Sequence, residues 1–345
     1  MKKILLTLDY ELYGNGSGNV FEDIIQPTDL ILAVCNKHNA KITIFFEVAE
    51  YWALKKEWEQ GNIMGYSQNP VEAMENQIRA AYQQGHDVQL HLHPQWVNAI
   101  YENEKWLVDF SAWRLGEYRG EDDKNLYHLL KKGKETLKSI INDPLYKCTA
   151  IRAGGYNIQP SKDVLNVMRE LGLKVDSSVY PGGKETGSLS QYDYSGVTND
   201  KGYWYINEDV LVDEKRKTAL IELPIVAFPI KRITKFLTIE RIKSILKNRQ
   251  SAKESFEAKT SKVGIMTKIN YFFQKEWQTW DYCLFSIRMH RKYIKKCNEL
   301  YRQKKRDYFV IIGHPKSLVS AKSLTFLLHH AKHHDYSFQT FQQIG

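Results

Sequence analysis

The chain is poor in cysteine, with four in 345 residues (Cys35, Cys148, Cys283 and Cys297). None belongs to a CxxC pair, and their wide spread excludes a zinc knuckle or a disulfide framework, so a reducing, cytoplasmic home is the expectation. Long apolar runs are also missing. No stretch approaches the roughly 20 residues of a membrane span. The opening MKKILLTLDYELYG has too short an apolar core for a secretory leader and no small-residue cleavage site; it reads as a first strand. There is no internal repeat and no low-complexity tract. No recognised nucleic-acid motif is present either, so nucleic acid is not expected as a partner.

What is present describes a folded protein, 43% hydrophobic and 12% aromatic, long enough for one large α/β domain. The net charge of +9 is uneven: residues 231–306 hold 21 Lys and Arg against 6 Asp and Glu. Any acidic partner belongs to that segment rather than to the whole chain.

Strands and helices alternate. KILLTLDYEL is a strand, and PTDLILAVCNKHN a helix opened by Pro27 or Thr28. After the strand KITIFFEV, a helix PVEAMENQIRAAYQQG ends at Gly85 and leads into the strand DVQLHLH. Later come the helix KNLYHLLKKGKETLKSIIN, the strand CTAIRAG, the helix SKDVLNVMRELG, and the strands LKVDSSVY, ALIELPIVAF and YFVIIGHP. A helix SLTFLLHHAKHH and the strand YSFQTFQQI close the chain. Such alternation predicts βαβ units and a mainly parallel sheet, and seven or eight units favour a barrel over an open sheet. Two stretches, 97–147 and 230–306, read as insertions in one domain covering 1–345, the second basic and mostly helical.

In parallel α/β folds chemistry gathers at the carboxyl ends of strands. Asp9 and Glu11 end the first strand on one face. In GHDVQLHLHPQW, period two places His91 and His93 on one side of the third strand before Pro94 stops it. Arg152, Asp176 and His314 each follow an apolar run in the same way. Two adjacent imidazoles bind a metal, face solvent or pair with carboxylates, and the pattern alone leaves all three open. Each other residue has an ordinary reading as turn, cap or ion-pair former, but five such strand ends meeting at one sheet edge point to a site.

Taken in order, TLDYE, KITIFFE, GHDVQLHLH, IRAGGY, VDSS, IELP and IIGHPKSL resemble the polysaccharide deacetylase family (carbohydrate esterase family 4). The resemblance covers the core strands and leaves the two insertions unmatched. It implies a distorted (β/α)7 barrel with helical insertions, and a divalent-metal hydrolase removing N- or O-acetyl groups from sugars in cell-surface polysaccharide metabolism. It also implies that Asp9 is the general base, Arg152 the arginine that orients it, His314 the general acid and His91 a metal ligand. The family's second metal aspartate has no equivalent, since Tyr10 follows Asp9; Glu11 is the substitute. Its second histidine falls at Gln95, so His93 supplies that ligand. Two imidazoles and one carboxylate suit zinc, with cobalt, nickel or iron as alternatives. Tyr156, Asp176 and Trp96 are the candidate substrate contacts.

An acetylated sugar, possibly nucleotide- or lipid-linked, is the implied partner. An anionic membrane surface is a reading of 231–306, where Phe236, Tyr271, Phe272, Phe273, Trp277 and Trp280 lie among the lysines, placing the protein in the cytoplasm or against the inner membrane. The alternatives are a metal-independent C–N hydrolase of the same fold and a non-catalytic carbohydrate binder. GNGSGN (14–19) lacks the ending of a phosphate loop and reads as a loop rimming the site. HHAKHH (329–334) reads as a solvated helix end. The aromatics Tyr180, Tyr192, Tyr194, Tyr203, Trp204 and Tyr205, with Trp113, are candidates for stacking on sugar rings.

Overall fold

The computed structural model describes residues 1–231, 274–318 and 320–344. Strand β1 (Lys2–Tyr10) leads through a π-helical turn into α1 (Gln26–Lys37), and β2 (Ile42–Glu47) into α2 (Val48–Glu59) and α3 (Pro70–Gln83). After β3 (Asp87–Leu92) come a hairpin of β4 (Ile100–Glu102) and β5 (Lys105–Leu107), then α4 (Leu126–Ile141). Next are β6 (Ala150–Ala153), α5 (Lys162–Glu170), β7 (Val175–Asp176), the hairpin β8 (Lys184–Thr186) and β9 (Gln191–Asp193), β10 (Trp204–Ile206), β11 (Leu220–Glu222) and β12 (Ala227–Lys231). The described chain ends with β13 (Lys275–Thr279), α6 (Ile287–Arg302), β14 (Tyr308–Ile311), α7 (Ala321–His333) and β15 (Tyr336–Phe338).

One sheet runs β10-β11-β7-β6-β3-β2-β1-β14, with β15 also paired to β1. Every pair is parallel except β10 with β11. Beyond β11, Pro224 lacks a donor, and the run IELPIVAF breaks there. Ile225 then forms a parallel bridge with Val310 of β14, and the Val226 N–H donates to the Val310 carbonyl at 2.8 Å. The curled sheet is thus brought round on itself, with seven parallel strands along its main path, β15 outside it, and a final seam only one bridge long. This is the expected distorted (β/α)7 barrel.

Three local outcomes differ from the sequence pattern. Helix α2 was not expected, because its mixed charges and aromatics hide the apolar stripe that buries Val48, Ala49, Tyr51, Ala53 and Leu54. The alternating DVQLHLH is buried on both faces, since its polar face looks into the barrel rather than to solvent. Within 230–306, residues 232–273 lie outside the described residues, Phe236, Tyr271, Phe272 and Phe273 among them. The described remainder is part of the fold, with Trp280, Tyr293, Ile294 and Cys297 in the main core. All four cysteines are buried and free. Among the described residues no helix is long and apolar enough to cross a membrane.

Odd-numbered residues of β1, β2 and β3 point inward. Leu5 and Phe45 join Ala150, Val175, Leu223, Ile225, Val310, Ile312 and Phe341 in a small inner cluster, while the even-numbered faces pack under the helices. Below the cluster, Gln89 fastens β3 to β6: its Oε1 accepts the Thr149 and Ala150 N–H groups at 2.8 Å, and its Nε2 donates to Asp87 Oδ1. Gln89→Leu keeps the volume but orphans the buried Ala150 N–H and the part-buried Thr149 N–H. It should lower unfolding stability by about 2–4 kcal/mol, read by urea titration, with the metal affinity of the folded protein unchanged.

Candidate active site

Above the inner cluster the same strand faces turn polar. Arg152 is fully buried and lies across the barrel with its guanidinium 4.2 Å from the Phe45 ring. It donates to Asp9 Oδ1 at 2.5 Å, to Thr7 Oγ1 at 2.9 Å, and to the Ser177 carbonyl and hydroxyl at 2.9 and 3.1 Å. A buried ion pair of this kind is tolerable only when its remaining hydrogen-bonding capacity is met, and β1 together with Ser177, just beyond β7, supplies the acceptors here. Asp9 Oδ2 is left facing His314 Nε2 at 3.7 Å.

Beside Asp9, four donors converge. Glu11 Oε2 lies 3.1 Å from His91 Nε2 and 3.2 Å from His93 Nδ1, and Glu47 Oε2 lies 2.8 Å from His93 Nδ1. The ligand atoms of Glu11, Glu47, His91 and His93 all fall within 4.8 Å of one another. His91 Nδ1 is bonded to the Arg152 carbonyl at 2.8 Å, which turns its Nε2 toward the group, as backbone carbonyls behind metal-binding imidazoles do. Burial alone would depress both histidines, but Asp9 and Glu11 beside His91, and Glu11 and Glu47 beside His93, raise both pKa values. Burial would likewise raise Glu11. Lys316, 2.8 Å from its Oε1, and then the two imidazoles outweigh burial and hold it well below the usual carboxylate range. Two imidazoles and two carboxylates in a buried group fit a zinc-like dication.

His93 can occupy this place because residue 154 is glycine. A Cβ there would lie 2.3 Å from His93 Cδ2, which is a direct clash.

The carboxylate that holds His314 comes from an unexpected place. His314 Nδ1 is bonded to Asp281 Oδ2 at 2.9 Å, and Asp281 is held in turn because its Oδ1 accepts the Cys283 and Leu284 N–H groups. Burial would lower His314, but Asp281, then Asp9 and Glu11, raise its pKa.

The six residues Asp9, Glu11, His91, His93, Arg152 and His314 are therefore brought together. Of the candidate substrate contacts, Tyr156 is half-buried, stands close enough to Asp9 for its charge to act on the phenol, and packs against Tyr180 and Tyr192. Trp96 is enclosed, 1% exposed and edge-on to Trp106. Asp176 is also fully enclosed, bonded to Ser178 and paired with Glu222, and burial raises both carboxyls. Neither offers a surface to the cleft. Trp113 is half-buried, 6.4 Å from the His93 ring, and a Cβ on Gly14 would lie 2.8 Å from it, so the GNGSGN loop does border the site. Gln95 is buried with both amide atoms unpartnered among the described residues. Tyr203 and Tyr205 lie at the opposite end of the barrel, lining a cavity with Lys174 and Tyr308. His329 and His333 sit 3.1 Å apart on an exposed helix end.

Sequence reasoning missed Glu47, Asp281 and Lys316. Glu47 had the signal, a charge ending the apolar run ITIFF with period two from Phe45. Asp281 lay inside a stretch read as an insertion, and Lys316 looked like an ordinary charge after His314-Pro315.

No protein-family model matches the chain, and no curated protein matches it. Among solved structures it is similar to a protein assigned as a polysaccharide deacetylase from Mycobacterium smegmatis, at 12% identity and a TM-score of 0.49, over 99% of this chain and 88% of that one. It is also similar to another so assigned from Pseudomonas aeruginosa PAO1, at 11% and 0.49 over 99% and 89%. An allantoinase is similar at 11% and 0.47 over 99% and 88%.

Gly154→Ala should reduce metal affinity about tenfold or more by displacing His93, and His91→Ala or His93→Ala should abolish retention. Elemental analysis after dialysis against chelator reads the loss, and circular dichroism should show an intact fold.

Proposed function

We propose that the chain is a metal-dependent hydrolase that removes the acetyl group from an N-acetylated sugar in cell-surface polysaccharide metabolism. The observation that carries this reading is the placing of Asp9 between Arg152 and His314, directly beside the four-donor group. The motif resemblance assigns the same residues to the same roles.

Hydrolysis of an acetamide needs a nucleophilic water, a group to take its proton and a proton for the departing amine. Glu11, His91 and His93 would hold the metal, with Glu47 as a fourth donor or as the partner that orients His93. Bound there, a divalent ion lowers the pKa of water and polarises the acetyl carbonyl. Asp9 accepts the water's proton at Oδ2, because Arg152 occupies its Oδ1 and keeps the carboxylate fixed. His314 gives a proton from Nε2 to the leaving nitrogen. Asp281 secures the Nδ1 side of the ring and so aims Nε2 at the cleft. Tyr156, Tyr180 and Tyr192 form an aromatic flank suited to a sugar face. Products are acetate and the free amine.

A second reading, a metal-independent C–N hydrolase, is favoured by Lys316, whose ammonium already compensates Glu11. Stoichiometric zinc, nickel, cobalt or iron in active protein supports the first reading; metal-free protein active on an amide supports the second.

Asp9→Asn should retain metal and lose turnover roughly a thousandfold, whereas Glu11→Gln should lose metal. The opposite pattern exchanges their roles. For His314 the folded pKa is raised, so the protonated acid persists above its ordinary value and the rate declines as pH rises through the raised pKa. Asp281→Asn removes the main raising influence while leaving an oxygen for the Cys283 and Leu284 N–H groups. The descending limb of the kcat–pH profile should then move to lower pH.

A further inference from the structure

At the end of the barrel opposite the catalytic group, a pocket of about 500 Å3 opens between α6, α7 and the start of β1. Six of its nine lining residues are basic (Lys2, Arg291, Lys295, Arg302, His330 and His334), and none is Asp or Glu. Their partners are neutral. Lys2 Nζ donates to Asn298 Oδ1 at 2.9 Å and lies 4.7 Å from the Tyr336 ring centroid. The Arg291 guanidinium lies 5.0 Å from the Phe326 ring, and Arg302 Nε approaches the Asn298 carbonyl at 3.4 Å. Asp335 acts on Lys2, yet burial and the charge of Arg302 still leave Lys2 below its ordinary pKa; Glu299 lies on the same helix as Lys295 and Arg302 but does not line the pocket. Burial, with His334 and Arg291 behind it, does the same for His330. A neighbouring depression shares Tyr301 and Arg302 and adds Lys304, Lys305 and Arg306, with Asp307 its one acid.

Like charges gathered in a concavity repel unless an anion joins them. Guanidinium forks and ammonium groups together match the oxygens of a phosphate, and the volume is in the range of small-molecule sites. We propose that this pocket binds a phosphate-bearing ligand. Lys2 and Asp9 are at opposite ends of one strand, roughly 23 Å apart at the usual strand rise. The pocket therefore takes no part in the chemistry. It holds the protein to a phosphorylated carrier or to the phosphates of a surface, independently of which reaction the catalytic group performs.

The test uses the full chain with two probes: sodium pyrophosphate by calorimetry, and co-sedimentation with phosphatidylglycerol-containing vesicles against phosphatidylcholine alone. Wild-type protein should bind at least one probe at low salt and more weakly at high salt, because exposed charges are screened within about 10 Å. Lys295→Glu/Arg302→Glu should weaken that binding about tenfold or more, each cation near a phosphate being worth on the order of fivefold. Lys295→Gln/Arg302→Gln should show an intermediate loss and guards against misfolding of the reversed variant. Metal content and acetate release from a soluble substrate should not change in either. Binding of pyrophosphate assigns a soluble phosphate ligand; binding of anionic vesicles alone assigns a lipid headgroup. The proposal is overturned if neither probe binds at low salt, or if both variants bind as the wild type does.

Discussion

The site depends on one buried contact, the ion pair between Arg152 and Asp9. A guanidinium with no exposed surface at the centre of a barrel is costly to desolvate, and Coulomb attraction alone does not repay that cost. Here Thr7, Asp9 and both oxygens of Ser177 take its donors while Phe45 covers its face. Since these residues come from β1, β2 and the turn just beyond β7, satisfying Arg152 fixes the relative height of the strands. The same geometry leaves one oxygen of Asp9 free toward the cleft. Structural demand and, under the proposed function, the positioning of Asp9 are met by one interaction.

A second constraint is the balance of charge around it. Glu11, His91 and His93 share a small buried space with Glu47, and burial works against the ionic form of each of the three. Each imidazole is raised by carboxylates, while Glu11 is lowered by Lys316 and the imidazoles. The set is thus suited to a divalent cation and partly compensated without one, which is why metal content, rather than geometry, separates the two enzymatic readings.

Much of this was legible in the primary structure. Period two put Asp9 with Glu11 and His91 with His93 on shared faces, and strand–helix alternation foretold parallel strands whose carboxyl ends meet. Side-chain direction along a strand is a local property, and local properties can be read from a sequence. Trp96 and Asp176 mark the limit. Both follow strands in the right places, but whether a side chain reaches a cleft or packs beneath it depends on Trp106 and Glu222, which are distant in sequence. Asp281 shows the converse: its neighbourhood looked like an insertion, and only the bridge from Asp281 to Ile312 brings it to His314.

By itself, then, the sequence determined the order of the principal strands and of their helices other than α2, most of the inward polar residues and the chemical types available at one end of the sheet, because these follow from periodicity and residue chemistry. Tertiary structure decided which of them touch. It admitted His93 over Gly154, recruited Glu47 and Asp281, enclosed Trp96 and Asp176, and drew Lys2, α6 and α7 around a basic pocket. Contacts between residues far apart in the chain are set by how helices and strands pack, and no local pattern encodes that.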